Sequence, residues 1–246
     1  MMKKKSVIVT GASSGIGFAI AQAFLSRGDN VVANARSRLD LEKAAEEWGS
    51  PENLLLVAGD IALPDTAETL FAEAEARFGQ VDILVNNAGV FISKPVADYT
   101  EHDVETMLAV NMKGFFYPAQ KAAEHMRAHG GGHIMAITAA IAMQPNIDVP
   151  ALLPVMVKGG LNHAVKGLAL ELADAGIMVN AIAPGIIATP MHSQNPQTLE
   201  ALKNMAPTHQ VGNVQDIVNA VMYLADSQFV TGTIMAVDGG STAGKW

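Results

Sequence analysis

The chain has no cysteine, and only 16% of its 246 residues are charged and 5% are aromatic. Without cysteine, disulfide bonds and thiolate chemistry are excluded, so an apolar core must stabilise the fold. Half of the residues are hydrophobic, which is enough for a large core in a chain of this length. The absence of cysteine also fits a reducing compartment.

Long apolar runs and an excess of basic residues are lacking too. No segment of the sequence approaches the roughly 18 consecutive apolar residues that a membrane-spanning helix needs. The basic start Met1–Lys5 is followed only by the short apolar run Val7–Val9, so we expect no signal peptide. A formal net charge of −8 argues against nucleic-acid binding, because phosphates require a basic surface. We expect a cytoplasmic protein that binds neither membranes nor nucleic acid.

Short apolar runs recur along the chain and alternate with helical patterns. The runs lie at 6–10, 30–35, 53–58, 81–85, 132–138, 177–183 and 233–237, and the helical patterns lie at 15–27, 39–48, 65–78, 101–128, 155–175 and 213–225. This alternation predicts an α/β fold, a doubly wound parallel sheet flanked by helices on both faces, in one domain over residues 1–246. The proline-interrupted segment 186–210 breaks the alternation and predicts a lid.

A glycine-rich segment, Thr10–Gly17, joins the first apolar run to the first helical pattern. Glycine lets the backbone turn sharply and approach a ligand, and the N–H groups at the start of the following helix then face a phosphate. Strand, glycine loop and helix in this order predict a dinucleotide site. The alternative is a tight turn without a ligand.

Further motifs follow at the ends of later strands. They are Asp60 after the third run, Asn86-Asn87-Ala88-Gly89 after the fourth, Asn111 in the long helical pattern, Lys158, and Pro184-Gly185 with Thr189. Together with the glycine-rich segment, they resemble the short-chain dehydrogenase/reductase family over essentially the whole chain. The resemblance implies a seven-stranded Rossmann-type sheet and assembly as a homotetramer or dimer. It also implies hydride transfer between a nicotinamide cofactor and a small-molecule carbonyl or alcohol.

The resemblance further implies which residues bind the cofactor. They are Gly11, Ser13, Ser14, Gly15, Ile16, Gly17, Arg36, Asp60, Ile61, Asn87, Ala88, Gly89, Lys158, Pro184, Gly185, Ile187 and Thr189. NAD-selective relatives carry a carboxylate at the end of the second strand, where this chain has Ala35 followed by Arg36. A guanidinium pairs with the 2′-phosphate that distinguishes NADP(H), so we predict NADP(H). The alternative is that Arg36 and Arg38 are solvated residues at a helix start.

Asp60 has two interpretations. The resemblance assigns it to the adenine edge of the cofactor. As a carboxylate shortly before Pro64, it is equally typical of a helix cap. The two roles are compatible.

The chain departs from the family in part of its catalytic set. Asn111 and Lys158 match, but the family's tyrosine, four residues before the lysine, is replaced by Pro154, and its serine is replaced by Ala139. A phenol whose pKa is lowered by the lysine would handle the substrate proton, and this chain lacks it there. We take Asn111, Lys158 and Thr138 as the catalytic candidates. The Thr138 hydroxyl is expected to face away from the site unless the strand end bulges.

Other residues of the chain offer alternatives to these candidates. Asp148 and His192 are alternative proton carriers, although both residue types are more often found at the surface. Tyr117 and Lys121 have the tyrosine–lysine spacing, but they precede the fifth strand, so we interpret them as a chance match. Three residues are predicted to line an apolar substrate pocket, Met143, Leu152 and Met191.

Three histidines, His125, His129 and His133, have a spacing that suggests a metal site. The glycines at 130–132 end a helix there, and histidines complement the carbonyl end of a helix. We therefore expect no metal.

Two classes of function remain open from the sequence. The first is an NADP(H)-dependent oxidoreductase that acts on an apolar carbonyl or alcohol by an atypical proton route. The second is a catalytically silent NADP(H)-binding protein, acting as a sensor or a partner subunit. In either case, the apolar segments Phe115–Tyr117 and Leu161–Leu172 are expected to face outward and pack between subunits.

Overall fold

The computed structural model describes residues 4–189, 200 and 202–244. In this part of the chain, seven strands form one parallel sheet in the order β3-β2-β1-β4-β5-β6-β7. The strands are β1 Ser6–Thr10, β2 Asn30–Ala35, β3 Leu54–Ala58, β4 Ile83–Asn86, β5 Gly132–Ile137, β6 Ile177–Pro184 and β7 Ile234–Val237. The predicted α/β fold class is confirmed.

Helices cover both faces of the sheet. They are α1 Gly15–Arg27, α2 Arg38–Glu47, α3 Pro64–Phe78, α4 Glu101–Met107, α5 Gly114–Ala128, α6 Leu152–Leu172 and α7 Val214–Asp226. Short 3-10 turns lie at Val96–Asp98, Ala140–Ala142 and Ala173–Ala175. Neighbouring strand residues point to opposite faces, so Ile8 packs in one core with α3, α5 and α6, and Val7 packs in the other with α1, α2 and α7.

The strand order places the reversal of winding between β1 and β4. The chain winds outward from β1 through β2 to β3, then returns to β4 on the other side of β1 and winds through β5, β6 and β7. In doubly wound sheets, ligands bind outside the carboxyl ends of the strands at this reversal. The loops after Thr10 and Asn86 flank it.

The predicted helix over 101–128 is interrupted, which is a correction to the sequence analysis. A π-helical segment, Leu108–Lys113, separates α4 from α5, and the Gly114 N–H donates to the carbonyl of Ala109, five residues back. Within this segment the Asn111 side chain donates to the Met107 carbonyl at 3.1 Å, the acceptor that a regular α-helix would offer to the backbone N–H of Asn111. Such π segments are frequent at functional sites.

One other expectation, on the apolar segment Phe115–Tyr117, was wrong in part. Phe115 was predicted to face outward, but it is 6% exposed and packs in the core, because its ring lies on the sheet-facing side of α5. Its neighbour Phe116 is 57% exposed. Pro154 is the third residue of α6, in the first turn, where its missing N–H needs no intrahelical partner.

Part of the predicted lid lies outside the described residues, including Met191 and His192. Before this part, Ile187 forms a bridge with Gly212. Among the described residues, no helix combines the length and apolarity required to cross a bilayer.

The three histidines lie toward the amino-terminal edge of β4 and β5. His129 caps α5, and its ring stacks on His125 with centroids 4.0 Å apart. His125 accepts the Val81 N–H at Nε2 at 2.9 Å. His133 lies on β5 and is 6% exposed. Burial, aided by the positive charge of Lys5, lowers the pKa of His133 to about 4.

This burial predicts a loss of stability in acid. His133 binds a proton near pH 6.5 in the unfolded chain but only near pH 4 in the folded protein. Its contribution to the free energy of unfolding is therefore complete above about pH 6.5 and is lost as the pH falls toward 4. The loss is about 3 kcal/mol. Urea unfolding at pH 7 and pH 4.5 measures it. We expect His133→Leu to flatten the pH dependence and substitution of the exposed His102 by Gln to leave it unchanged; equal slopes in all three proteins would refute the assignment.

Candidate functional site

The glycine loop presents an uncapped helix start. Gly11 and Gly15 have φ angles of +64° and +56°, which L side chains rarely adopt. Ser14 is the N-cap of α1 in an extended conformation, and its side chain makes no cap bond. By contrast, at the starts of α2, α4 and α7 the side chains of Ser37, Thr100 and Asn213 accept the backbone N–H groups of Asp40, Asp103 and Asp216, respectively. The first N–H groups of α1 are therefore available to an anionic ligand.

A set of hydrogen bonds ties this loop to the loop after β4. The Thr10 hydroxyl oxygen accepts the N–H groups of Asn87 and Ala88, both at 3.0 Å. The Asn87 side-chain amide donates to the carbonyls of Thr10 at 3.0 Å and Gly11 at 3.2 Å. Sequence reasoning missed Thr10 as a positioning residue. Its place as the last residue of a strand before a glycine was the available signal.

The two arginines after β2 differ in their contacts. Arg38 starts α2 and is engaged, donating to Glu42 at 2.8 Å and to the Leu56 carbonyl at 3.0 Å. Arg36 lies in the turn before the helix and is exposed, and its guanidinium has no hydrogen bond or ion pair with the described residues. Arg36 is thus the guanidinium that remains free to bind a ligand phosphate.

Asp60 and Ile61 hold the loop after β3. The Asp60 side chain accepts the Ala62 N–H at 3.0 Å, while the N-cap of α3 is Leu63. Asp60 therefore closes a turn before the helix and does not cap the helix itself. Ile61 is 4% exposed, and a Cβ on Gly114 would lie 2.9 Å from its Cγ2, so any ligand contact of Ile61 must use its backbone.

The carboxyl end of β6 supplies the other predicted cofactor residues. Pro184 ends the strand, and Gly185 is held by donating its N–H to Val237 at 3.0 Å. A Cβ on Gly185 would lie 2.8 Å from the Cα of Asp238. Ile187 is 3% exposed, and Thr189 is the last described residue before the gap.

Lys158 is the central charged group of the site. It lies on α6, is 7% exposed, and donates from Nζ to the Ile137 carbonyl at 3.1 Å. Burial lowers its pKa to about 8. Asn111 approaches the same point beside Gly89 as Lys158: a Cβ on Gly89 would be 2.8 Å from Asn111 Oδ1 and 3.0 Å from Lys158 Nζ. The absence of a side chain at Gly89 is what lets these two groups converge.

Asn111 also fixes the chain beyond Gly89. Its Oδ1 accepts the Val90 N–H at 3.2 Å, and its Nδ2 donates to the Val90 carbonyl at 3.1 Å. The side chain is 2% exposed. The π-helical segment thus locks the loop after β4 at the point where it meets Lys158.

A small, partly open cavity of about 10 Å³ adjoins these groups and is about the size of one water molecule. Its lining includes Asn86, Asn111 and Lys158. The Asn86 amide is buried, and neither its nitrogen nor its oxygen has a partner in the described residues. Asn86 belongs to the sequence motif after the fourth apolar run, but the sequence did not predict it as a site residue.

The remaining catalytic candidates are placed as follows. Thr138 is 6% exposed, and its hydroxyl donates to the Ile182 carbonyl at 3.3 Å. Ala139 is half-buried at the end of β5, and Pro154 is buried one turn before Lys158. Asp148 is exposed in the segment between β5 and α6. Two of the predicted substrate-pocket residues, Met143 and Leu152, are 42% and 46% exposed.

Tyr117 and Lys121 lie on α5 beside a groove that also includes Glu68. Lys121 pairs with Glu68 at 3.2 Å and with Glu124 at 3.5 Å. None of these residues lines the Lys158 cavity.

The residues present fit a dinucleotide cofactor. A Cβ on Gly17 would overlap the Gly11 carbonyl oxygen and the Asn87 amide, so the loop forms a cradle that only glycine permits. The uncapped start of α1 suits a pyrophosphate, the free Arg36 suits a further phosphate, and Lys158 offers an ammonium at the opposite end.

Comparisons with known proteins agree with this geometry. The family model described as enoyl-(acyl carrier protein) reductase matches residues 11–242. A 3beta-hydroxysteroid dehydrogenase 1 of Eggerthella lenta is 35% identical over 98% of this chain and 95% of the relative. The structure of ElxO with NADP bound has a TM-score of 0.92 at 27% identity, covering 98% of this chain and 100% of ElxO. A short-chain type dehydrogenase/reductase from Mycobacterium marinum has a TM-score of 0.91 at 29% identity, covering 98% of this chain and 96% of the other.

The glycine cradle yields a mutational test. Gly17→Ala forces the loop away from Asn87, so we expect it to destabilise the protein by about 1–3 kcal/mol and to weaken NADPH binding at least tenfold. Gly160→Ala is the control, because a Cβ there meets no atom within 4 Å and the residue lies inside α6. Urea unfolding and NADPH fluorescence titration measure both effects. Equal stability and equal NADPH affinity of the two variants would contradict the role of Gly17 in the cradle.

Proposed function

Because the chain belongs to the short-chain dehydrogenase/reductase family, we propose that it is an NADP(H)-dependent oxidoreductase of a carbonyl or alcohol with an atypical proton route. The single observation that carries the proposal is the convergence of Lys158 and Asn111 on Gly89, at the same sheet edge as the uncapped start of α1. The proposal includes a cytoplasmic location, supported by the cysteine-free sequence, and a single domain with a lid over 186–210.

In this proposal, Arg36 is the residue that selects NADP(H) over NAD(H). Its guanidinium is free of protein partners among the described residues, whereas Arg38 is held by Glu42 and Leu56. Ala35 ends β2 and supplies no carboxylate that would repel a 2′-phosphate. The start of α1 would hold the pyrophosphate and Lys158 the nicotinamide ribose. When bound in reduced form, this cofactor supplies a hydride.

Lys158 is the proton-handling group in this proposal. Its pKa of about 8 leaves it mostly protonated at neutral pH but able to release a proton. Asn111 holds the backbone beside it, and the Asn86 amide offers a donor and an acceptor in the adjoining cavity. Thr138 is less suited to donate to a substrate, because its hydroxyl donates to Ile182. Asp148 remains a second candidate.

The alternative is a catalytically silent NADP(H)-binding protein. Pro154 and Ala139, at the positions where the family resemblance places tyrosine and serine, favour it. The buried Lys158, with its pKa lowered to about 8, favours an enzyme, since groups with strongly shifted pKa values concentrate at active sites.

We also propose a homo-oligomer, either a dimer or a tetramer. Phe116 is 57% exposed and Met112 is 41% exposed on one face of the π segment and α5, and Leu170 on α6 is 85% exposed. Exposed apolar side chains at helical spacing are typical of surfaces that pack against another subunit.

The cofactor assignment predicts a preference for NADPH. We expect NADPH to bind at least tenfold more tightly than NADH, a difference of about 1.4 kcal/mol. Arg36→Ala should narrow the difference, because it removes the guanidinium that pairs with the phosphate. Arg38→Ala is the matched control and should retain it, because Arg38 is already engaged. Equal affinities for the two cofactors in the unmodified protein would contradict the assignment.

The catalytic assignment predicts a gain of function. Pro154→Tyr with Ala139→Ser places a phenol one turn from Lys158 and a hydroxyl at the end of β5, and should raise NADPH-dependent ketone reduction by about 100-fold. Pro154→Phe with Ala139→Ser is the control, since it supplies the ring without the phenol proton. NADPH consumption with a ketone panel measures the rates. A Pro154→Tyr double variant that folds, binds NADPH and gains no activity would refute a site of family geometry.

A further inference from the structure

Three hydroxyl groups on the segments that follow Gly89 and β5 donate their protons to backbone carbonyls. Ser93 donates to Pro150 at 2.7 Å, Tyr99 donates to Ile92 at 3.0 Å, and Thr138 donates to Ile182 at 3.3 Å. Each hydroxyl has one proton to donate. A neutral carbonyl substrate that must gain a proton on its oxygen is therefore not offered one by any of these three groups.

The segments that carry these hydroxyls form one wall beside the site. Ser93 bonds to Pro150, and Lys94 bridges to Ala151 directly before α6, so the segment after Gly89 is fastened to the segment between β5 and α6. We call these two segments, residues 90–99 and 138–151, the wall. Because it continues from Gly89 on one side and leads into the Lys158 helix on the other, it borders the space that a substrate must enter.

The wall combines apolar surface with two carboxylates, those of Asp98 and Asp148, that form no ion pair within the described residues. Ile147 is 98% exposed, and Leu152, directly after the wall, is 46% exposed. The cation of the wall, Lys94, is neutralised by Asp103 at 2.7 Å. Asp148 is exposed and makes no ion pair within the described ranges, and its backbone N–H donates to Asn146. A carboxylate beside apolar surface suits an organic cation, and the net charge of −8 adds to the attraction.

We propose that the site has a further activity, the reduction of iminium ions with an apolar body, for which Asp148 is a specificity-determining residue. This inference rests on the proposed function, because the hydride donor is the reduced nicotinamide cofactor. Iminium ions need no proton from the three hydroxyls, and the negative charge of the wall would attract them.

The chemistry balances without a protein proton. The iminium carbon gains the hydride with its electron pair, the π pair of the C=N⁺ bond becomes a lone pair on nitrogen, and the product is a neutral amine. The nicotinamide is oxidised and takes over the positive charge that the substrate loses. A ketone, by contrast, becomes an alkoxide unless a proton arrives, and under the proposed function that proton must come from Lys158. General acid catalysis of this step contributes about 100-fold or more.

A binding experiment tests the role of Asp148 without turnover. The protein saturated with NADP⁺ is titrated calorimetrically with N,N-dimethyl tetrahydroisoquinolinium, an unreactive cation, and with its neutral carbon isostere. We expect Asp148→Asn to weaken binding of the cation about two- to fivefold, the range of an exposed ion pair, and to change binding of the isostere less. Asp174→Asn, which removes the same charge from an exposed turn after α6, is the control. Equal losses in the two variants, or no loss in either, would overturn the role of Asp148.

A turnover experiment tests the activity. We expect NADPH-dependent reduction of N-methyl dihydroisoquinolinium to exceed that of tetralone at least tenfold after subtraction of the protein-free rate. The Pro154→Tyr and Ala139→Ser double variant should reduce this ratio, because only the ketone needs the added proton donor. A ketone rate equal to or above the iminium rate overturns the inference and leaves the proposed function intact. NADPH binding with no reduction of either compound overturns both and supports the silent binding protein.

Discussion

A buried ammonium without a carboxylate partner is the constraint on which the rest of the site depends. Within the described residues Lys158 forms no ion pair, and its one hydrogen bond goes to the Ile137 carbonyl. Removing such a charge from water is costly, and the cost appears as the lowered pKa of Lys158. A packed apolar residue at this position would avoid that cost, so the lysine is best explained by a ligand or a reaction.

The surrounding structure is organised around that ammonium. Gly89 omits the side chain that would separate Lys158 from Asn111, and the π-helical segment turns Asn111 toward the loop after β4. Thr10 then joins this loop to the glycine loop through two backbone N–H groups. The two halves of the sheet, which meet between β1 and β4, are thereby fixed to one another at the edge where a dinucleotide would lie.

The strands and most helices were predictable because each has a local signal. Parallel strands buried on both faces give continuous apolar runs, and Pro154 is tolerated only in the first turn of its helix. The π-helical break was not predictable, since the pattern over 101–128 is unbroken and does not show the side-chain bond of Asn111 that accompanies the break. The outward prediction for Phe115 failed because adjacent aromatic residues on a helix point in different directions, and only the packing against the sheet decides which one is buried.

In the candidate site, too, some features follow from the sequence and others only from long-range contacts in the structure. The glycine loop, Asn111 and Lys158 were predicted from the family resemblance of motifs in order along the chain. The contrast between Arg36 and Arg38, however, depends on a carbonyl on another strand, 18 residues away. Likewise, the engagement of Ser93 by Pro150 joins residues 57 apart. Contacts of this kind decide which polar groups remain available for chemistry, and composition and spacing do not record them.

The central claim is that this site transfers a hydride although tyrosine and serine are absent from the positions at 154 and 139. The most direct measurement incubates the protein with NADPH that carries deuterium on the transferable C4 position and with N-methyl dihydroisoquinolinium, and then weighs the product by mass spectrometry. The account predicts one deuterium on the former iminium carbon, with a single stereochemical outcome and far above the protein-free level. A parallel incubation replaces the iminium ion with tetralone. NADPH that binds tightly while deuterium appears in neither product would contradict the claim of hydride transfer.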